Sequence, residues 1–182
     1  MVLYRRFWLF FLTVYLLDLL TKSWIVGRAE GLTTNPIVII DAIAGAPAFL
    51  KITYVTNPGA AWSMLSDYPE FLTVLAAVAL ILIFVFRHQL EISSIPQQLI
   101  FGSICGGIAG NLTDRIFRNP AEVVDFIDVY LPVIEYDYPV FTVADSGIFV
   151  GAIYYFFWSF FDLRNQSKES GQNELNSGQE IN

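Results

Sequence analysis

Two aspartates, Asp125 in EVVDFIDVY and Asp145 in FTVADSGIF, stand beside long apolar runs in a chain with few other groups able to carry chemistry. A carboxylate at bilayer depth costs about 2.5–3.5 kcal/mol on insertion scales, so each needs a partner or a task. Brought within hydrogen-bond reach, two such carboxyls do not readily both ionise, and they share a proton. The ionised member can draw a proton from water while the protonated member polarises a scissile carbonyl, which is peptide hydrolysis of the aspartic type. Such a dyad titrates as a coupled pair.

Few other residues compete for the role. His88 is the single histidine and Cys105 the single cysteine, so neither a multi-histidine metal site nor a cysteine-based zinc site or intrachain disulfide can be built around them. Asp128 follows Asp125 by three residues, a spacing that could put both on one side of a helix or turn. That spacing fits no calcium loop, and no metal is expected. Asp18 and Lys22 are four apart and share a helical face, where an ion pair lowers the cost of both charges. Asn111 and Arg115 share a face in the same way, with Asp114 free to pair with one of them. In VTNPGAAW, Pro58 and Gly59 suit the middle of a type II turn, and Asn57 could donate to a bound peptide backbone. The same stretch also reads as a plain return loop with Trp62 as an interfacial anchor.

These residues must be positioned by apolar elements. The 182 residues are 55% hydrophobic and 15% charged, with a mean hydropathy of +0.54, outside the balance of a soluble domain. The sequence predicts a mainly α membrane protein with four transmembrane helices, near residues 7–25, 68–86, 99–117 and 140–161. Lys and Arg near the ends of the spans favour both termini in the cytoplasm. Between the first two helices, PIVII and FLKITYVT predict a small extracytoplasmic β-rich element within residues 26–67. Gly102, Gly106 and Gly110 give the third helix a small-residue face for close packing. A membrane domain over residues 1–164 is expected, followed by a disordered cytoplasmic tail over 165–182, polar and without aromatics. The net charge of -7 and the lack of a basic patch argue against nucleic acid.

Acidic residues in spans also suit an ion or proton transporter using Asp18, Asp145 and Arg115, and the glycine face alone would suit a membrane scaffold. What separates these readings is an ordered set: D-x-x-T-K at 18–22, N-x-G-A-A-W at 57–62, G-N-x-x-D-R at 110–115, V-V-D-F at 123–126 and A-D at 144–145. Together they closely resemble signal peptidase II, over residues 16–151. The resemblance implies an aspartic endopeptidase of the bacterial cytoplasmic membrane that cleaves prolipoproteins before a diacylglyceryl-modified cysteine, near the extracytoplasmic face. It implies no cofactor, and it gives diacylglyceryl prolipoproteins and membrane lipid as partners of a monomeric chain. Asp125 and Asp145 match the catalytic aspartates. Asn57, Asn111, Asp114 and Arg115 match residues that position substrate or support the site, and Asp18 with Lys22 match the pair on the first helix. Two departures stand out: Thr142 replaces the family's usual asparagine in F-N-x-A-D, and the segment from Arg115 to Asp125 is two residues longer than usual.

Overall fold

Glycines at every fourth position of one helix decide how the helices approach one another. The computed structural model describes residues 4–42 and 45–160; the expected tail at 165–182 lies outside them. Helix α1 spans Arg5–Val26 and is followed by the short α2, Ala29–Thr34. Strands β1 (Ile37–Ala42) and β2 (Ala48–Asn57) come next, then a single 3-10 turn at Ala61–Ser63. Helices α3 (Pro69–Val85) and α4 (Ile95–Phe117) lead into β3 (Val123–Leu131), β4 (Tyr136–Phe141) and α5 (Val143–Phe160).

Helix α4 lies at the centre of this arrangement. A Cβ on Gly102 or Gly106 would come within 2.6 Å of the carbonyl oxygens of Phe7 or Phe11, so these glycines let α1 lie directly on α4. On another side, a Cβ on Gly107 would strike the Ala144 carbonyl oxygen, which seats the start of α5. Prolines occupy the first turns of α3 and α4, where a missing N–H costs nothing, and Ser94 caps α4 by accepting from the Gln97 N–H.

Helices α1 and α5 are long and apolar enough to cross a membrane; α3 is apolar but shorter, at 17 residues. Only 17% of the apolar window of α1 and 11% of that of α5 is buried. Leu9, Leu16 and Leu20 of α1, Phe71 and Phe84 of α3, and Phe149 and Phe156 of α5 stand exposed. A soluble protein does not leave so broad an apolar surface uncovered.

The β-rich runs between the first two long helices form β1 and β2, as their composition indicates. The sheet they join is larger than the sequence suggests. It is four-stranded and antiparallel in the order β1-β2-β3-β4, and its second half includes the Asp125–Asp128 stretch, for which the spacing allows a helix or turn, and Val140 and Phe141, the start of the expected last span. Because β3 is a strand, the three-residue spacing puts Asp125 and Asp128 on opposite faces. Asp128 pairs with Lys51 across the strands at 2.9 Å. Pro139 is tolerated because β4 is an edge strand, and α5 accordingly begins at Val143. Ile25, Leu32, Val124 and Phe126 form the buried cluster that fixes the sheet to the end of α1.

The close packing at Gly107 leads to a prediction. Gly107→Ala should lower the unfolding free energy in detergent by about 1–3 kcal/mol through overpacking against α5. Gly31→Ala, where an added Cβ meets nothing within 4 Å, should not lower it.

Candidate active site

The site is held by a lysine that has no contact with water. Lys22 and Asp18, on adjacent turns of α1, are both 0% exposed, and Lys22 Nζ lies 2.7 Å from Asp18 Oδ2. The same ammonium reaches two side chains of α4, Asp114 Oδ2 at 2.9 Å and Asn111 Oδ1 at 2.9 Å. Lys22 thus spends its donors inside the protein and does not extend to the interface. An unpaired charge here would be costly, and three acceptors offset it.

Each acidic partner of Lys22 holds the backbone next to one of the two candidate aspartates. Asp18 Oδ1 accepts from the Ala144 N–H at 2.9 Å, one residue before Asp145. Asp114 Oδ2 accepts from the Val124 N–H at 3.2 Å, one residue before Asp125. Asp114 Oδ1 also takes the Arg118 guanidinium at 2.5 Å. The pairing expected of Asp114 with Asn111 or Arg115 is therefore replaced by Lys22 and Arg118. The i,i+4 spacing of Asp114 and Arg118 is the sequence signal for this second pair.

The amides around the two carboxyls are oriented by chemistry that allows one choice. Lysine only donates, so Asn111 must turn Oδ1 to Lys22 and thereby aims Nδ2 at Asp145 Oδ1, 2.7 Å away. Asn57 accepts the Gly59 N–H on Oδ1 at 2.9 Å, so its Nδ2 faces Asp125 Oδ2 at 2.9 Å. The amide expected to meet a peptide backbone is thus committed to Asp125. Thr142 donates to Asp145 Oδ2 from both its N–H, at 2.9 Å, and its hydroxyl, at 2.8 Å.

The loop after β2 differs from the expected turn. Gly59 does not have the positive φ that a type II turn requires at its third position. Glycine is needed instead because a Cβ there would lie 2.7 Å from the Ser63 and Met64 backbone. Arg115 donates to the Gly59 carbonyl oxygen at 2.7 Å, which ties this loop to α4. Trp62 has φ 54°, remains 61% exposed and donates from Nε1 to the Tyr136 hydroxyl at 3.0 Å.

Asp18, Lys22, Asn57, Asn111, Asp114, Asp125, Thr142 and Asp145 therefore fall into one connected cluster built by α1, β2, α4, β3 and the start of α5, with Arg115 joined to it through Gly59 and Asn57. Asp125 is 3% exposed. Burial, followed by the nearby charge of Asp145, pushes its carboxyl up to about 7, against the pull of Asn57, Lys22 and Arg115. The arrangement has what acid–base activation of water needs: two carboxyls within reach of each other's field, one of them disposed to keep its proton.

This shift makes stability depend on pH. The folded protein holds the Asp125 proton up to about pH 7, whereas an ordinary aspartate loses it near 3.8. The resulting stabilisation is complete below the lower value and is lost as pH rises through the upper one. The thermal midpoint of the wild type should fall across that window, and Asp125→Asn should flatten the fall; equal slopes would contradict the shift.

Residues 10–161 match the family of signal peptidase (SPase) II. The chain is 34% identical over 145 residues to the lipoprotein signal peptidase of Wigglesworthia glossinidia brevipalpis, covering 79% of this chain and 86% of that protein. It is 32% identical over 170 residues to that of Shewanella oneidensis, covering 91% and 92%. Among solved structures, a bacterial membrane enzyme determined by the in meso method at 2.3 Å resolution superposes with a TM-score of 0.68 and 30% identity, covering 86% of this chain and 88% of that one. A second, at 1.9 Å resolution, gives 0.60 and 31%, covering 80% and 86%. With the family match running through every element that carries the Lys22 cluster, the chain belongs to the signal peptidase II family.

Proposed function

We propose that Asp125 and Asp145 are the catalytic dyad of an aspartic endopeptidase that removes signal peptides from diacylglyceryl-modified prolipoproteins. The observation that carries this reading is the convergence of two carboxyls from separate elements, each with one side-chain amide oriented onto it. The ionised carboxyl takes a proton from water as its oxygen attacks the scissile carbonyl, and the protonated carboxyl donates to the carbonyl oxygen. Collapse of the tetrahedral intermediate then returns a proton to the leaving amine. Asn57 and Asn111 orient the carboxyls, and Arg115, through Gly59, places the neighbouring loop.

The membrane setting belongs to the same proposal. Helices α1, α3, α4 and α5 are four spans of one domain within residues 1–164, working as a monomer in the bacterial cytoplasmic membrane. At 1.5 Å per residue, α3 is about 26 Å long, close to the hydrocarbon thickness, and α4 is longer. Arg5, Arg6 and Arg87 mark the cytoplasmic side, which puts both termini there and the sheet and dyad near the outer face. The exposed apolar faces of α1, α3 and α5 contact lipid, and the acyl chains of the substrate remain in the bilayer while the scissile bond reaches the dyad between helices.

Purified protein in detergent should cleave a diacylglyceryl prolipoprotein immediately before the lipidated cysteine, read by mass. Asp125→Asn and Asp145→Asn should each lower turnover by at least about 10³-fold while remaining folded. Wild-type rates in both variants would overturn the assignment of the dyad.

A further inference from the structure

Thr142 and Asp145 form a reciprocal pair at the start of α5. The Asp145 N–H donates to Thr142 Oγ1 at 3.1 Å, while Asp145 Oδ2 accepts from the Thr142 N–H at 2.9 Å. This is a capping box, with Thr142 preceding the first helical residue and Asp145 at the third helical position. The Thr142 hydroxyl does more than cap. Having accepted from the Asp145 N–H, it turns its own proton to Oδ2 of the same residue, at 2.8 Å. Thr142 is 0% exposed, so water does not compete for either bond.

The two aspartates are consequently solvated by the protein to different degrees. The Asp145 carboxyl receives three donors: the N–H and hydroxyl of Thr142 on Oδ2 and the Asn111 amide on Oδ1. It also sits in the first turn of a helix, where the unpaired N–H groups favour negative charge. The Asp125 carboxyl receives one side-chain donor, from Asn57. Hydrogen bonds to a carboxylate hold it in the charged form, and their scarcity leaves the partner as the proton carrier.

Resting on the peptidase reading above, we infer that Thr142 is a positioning residue that keeps Asp145 as the ionised, water-activating member of the dyad and leaves the shared proton on Asp125. The raised titration of Asp125 to about 7 agrees with this division. The charged groups facing the pair are Asp125 on β3, Arg115 and Asp114 on α4, and Lys22 and Asp18 on α1; all of them are unchanged by substitution at 142. A threonine hydroxyl can supply an acceptor and a donor to a single residue, and here it supplies both to Asp145.

The test is the pH dependence of kcat/KM for cleavage of the diacylglyceryl prolipoprotein by the full chain, with Thr142→Val, Thr142→Gly and Thr142→Ser. Valine keeps the shape and loses the hydroxyl. Glycine loses the hydroxyl too but remains a tolerated cap, so one of the two is expected to stay folded. Loss of a hydrogen bond to the charged carboxyl should move the acid limb up by about one pH unit, equivalent to tenfold in the ionised fraction. Serine should bring the limb back to the wild-type position. Reduced activity with an unmoved acid limb in both hydroxyl-free variants would overturn the inference and leave Thr142 a helix cap, as would a serine variant displaced as far as valine. Absence of cleavage by the wild type would instead tell against the peptidase reading on which this one stands.

Discussion

An ammonium group sealed from water is the constraint around which this protein is arranged. Lys22 must find acceptors inside the bundle, and it finds them on its own helix, at Asp18, and on α4, at Asp114 and Asn111. Each acceptor passes the constraint on. Asp18 holds the backbone before Asp145, Asp114 holds the backbone before Asp125, and Asn111 holds the Asp145 carboxyl itself. A single charge thus fixes both candidate carboxyls and the strand and helix that carry them. Pairs buried to this degree are rarely net stabilisers compared with an apolar core, because desolvation consumes much of the Coulombic gain. Their retention makes sense where they specify a geometry.

Charge balance follows from the same geometry. Lys22 and Arg118 offset Asp18 and Asp114, and Arg115 lies in the field of Asp145 and Asp125. The glycines of α4 are part of this design. A Cβ at Gly110 would lie 2.5 Å from Asp18 Oδ2, so a side chain there would displace the carboxylate that Lys22 and Ala144 share. Packing and electrostatics in this region are therefore a single requirement: α1 must lie close enough to α4 for one ammonium to bridge them.

The cluster could be read in the sequence because its residue types are conspicuous. Charged and amide side chains in apolar surroundings stand out, and their order along the chain resembles one family. The i,i+4 spacing of Asp18 and Lys22 gave their ion pair directly. Less legible was what depends on tertiary pairing. VVDFIDVYL lies between apolar runs, and nothing local says that it pairs with β2, where Asp125 lies opposite Val55; only that pairing shows Asp128 turned away from Asp125. Asn57 looked available to substrate because its acceptor, Asp125, comes from a distant strand. Proline followed by glycine suggests positive φ at Gly59, whereas the glycine is there to clear the backbone of residues 63 and 64.

The unfolding free energy of Lys22→Met, measured in detergent against the wild type, tests the role of the buried ammonium most directly. Methionine fills a similar volume but leaves Asp18 buried without a cation and Asp114 with Arg118 alone. The arrangement described here predicts a loss of about 3–5 kcal/mol, the cost of stranding a buried partner. A loss of no more than about 1 kcal/mol, as for a solvent-exposed pair, would contradict it and show that the two aspartates are held by other means.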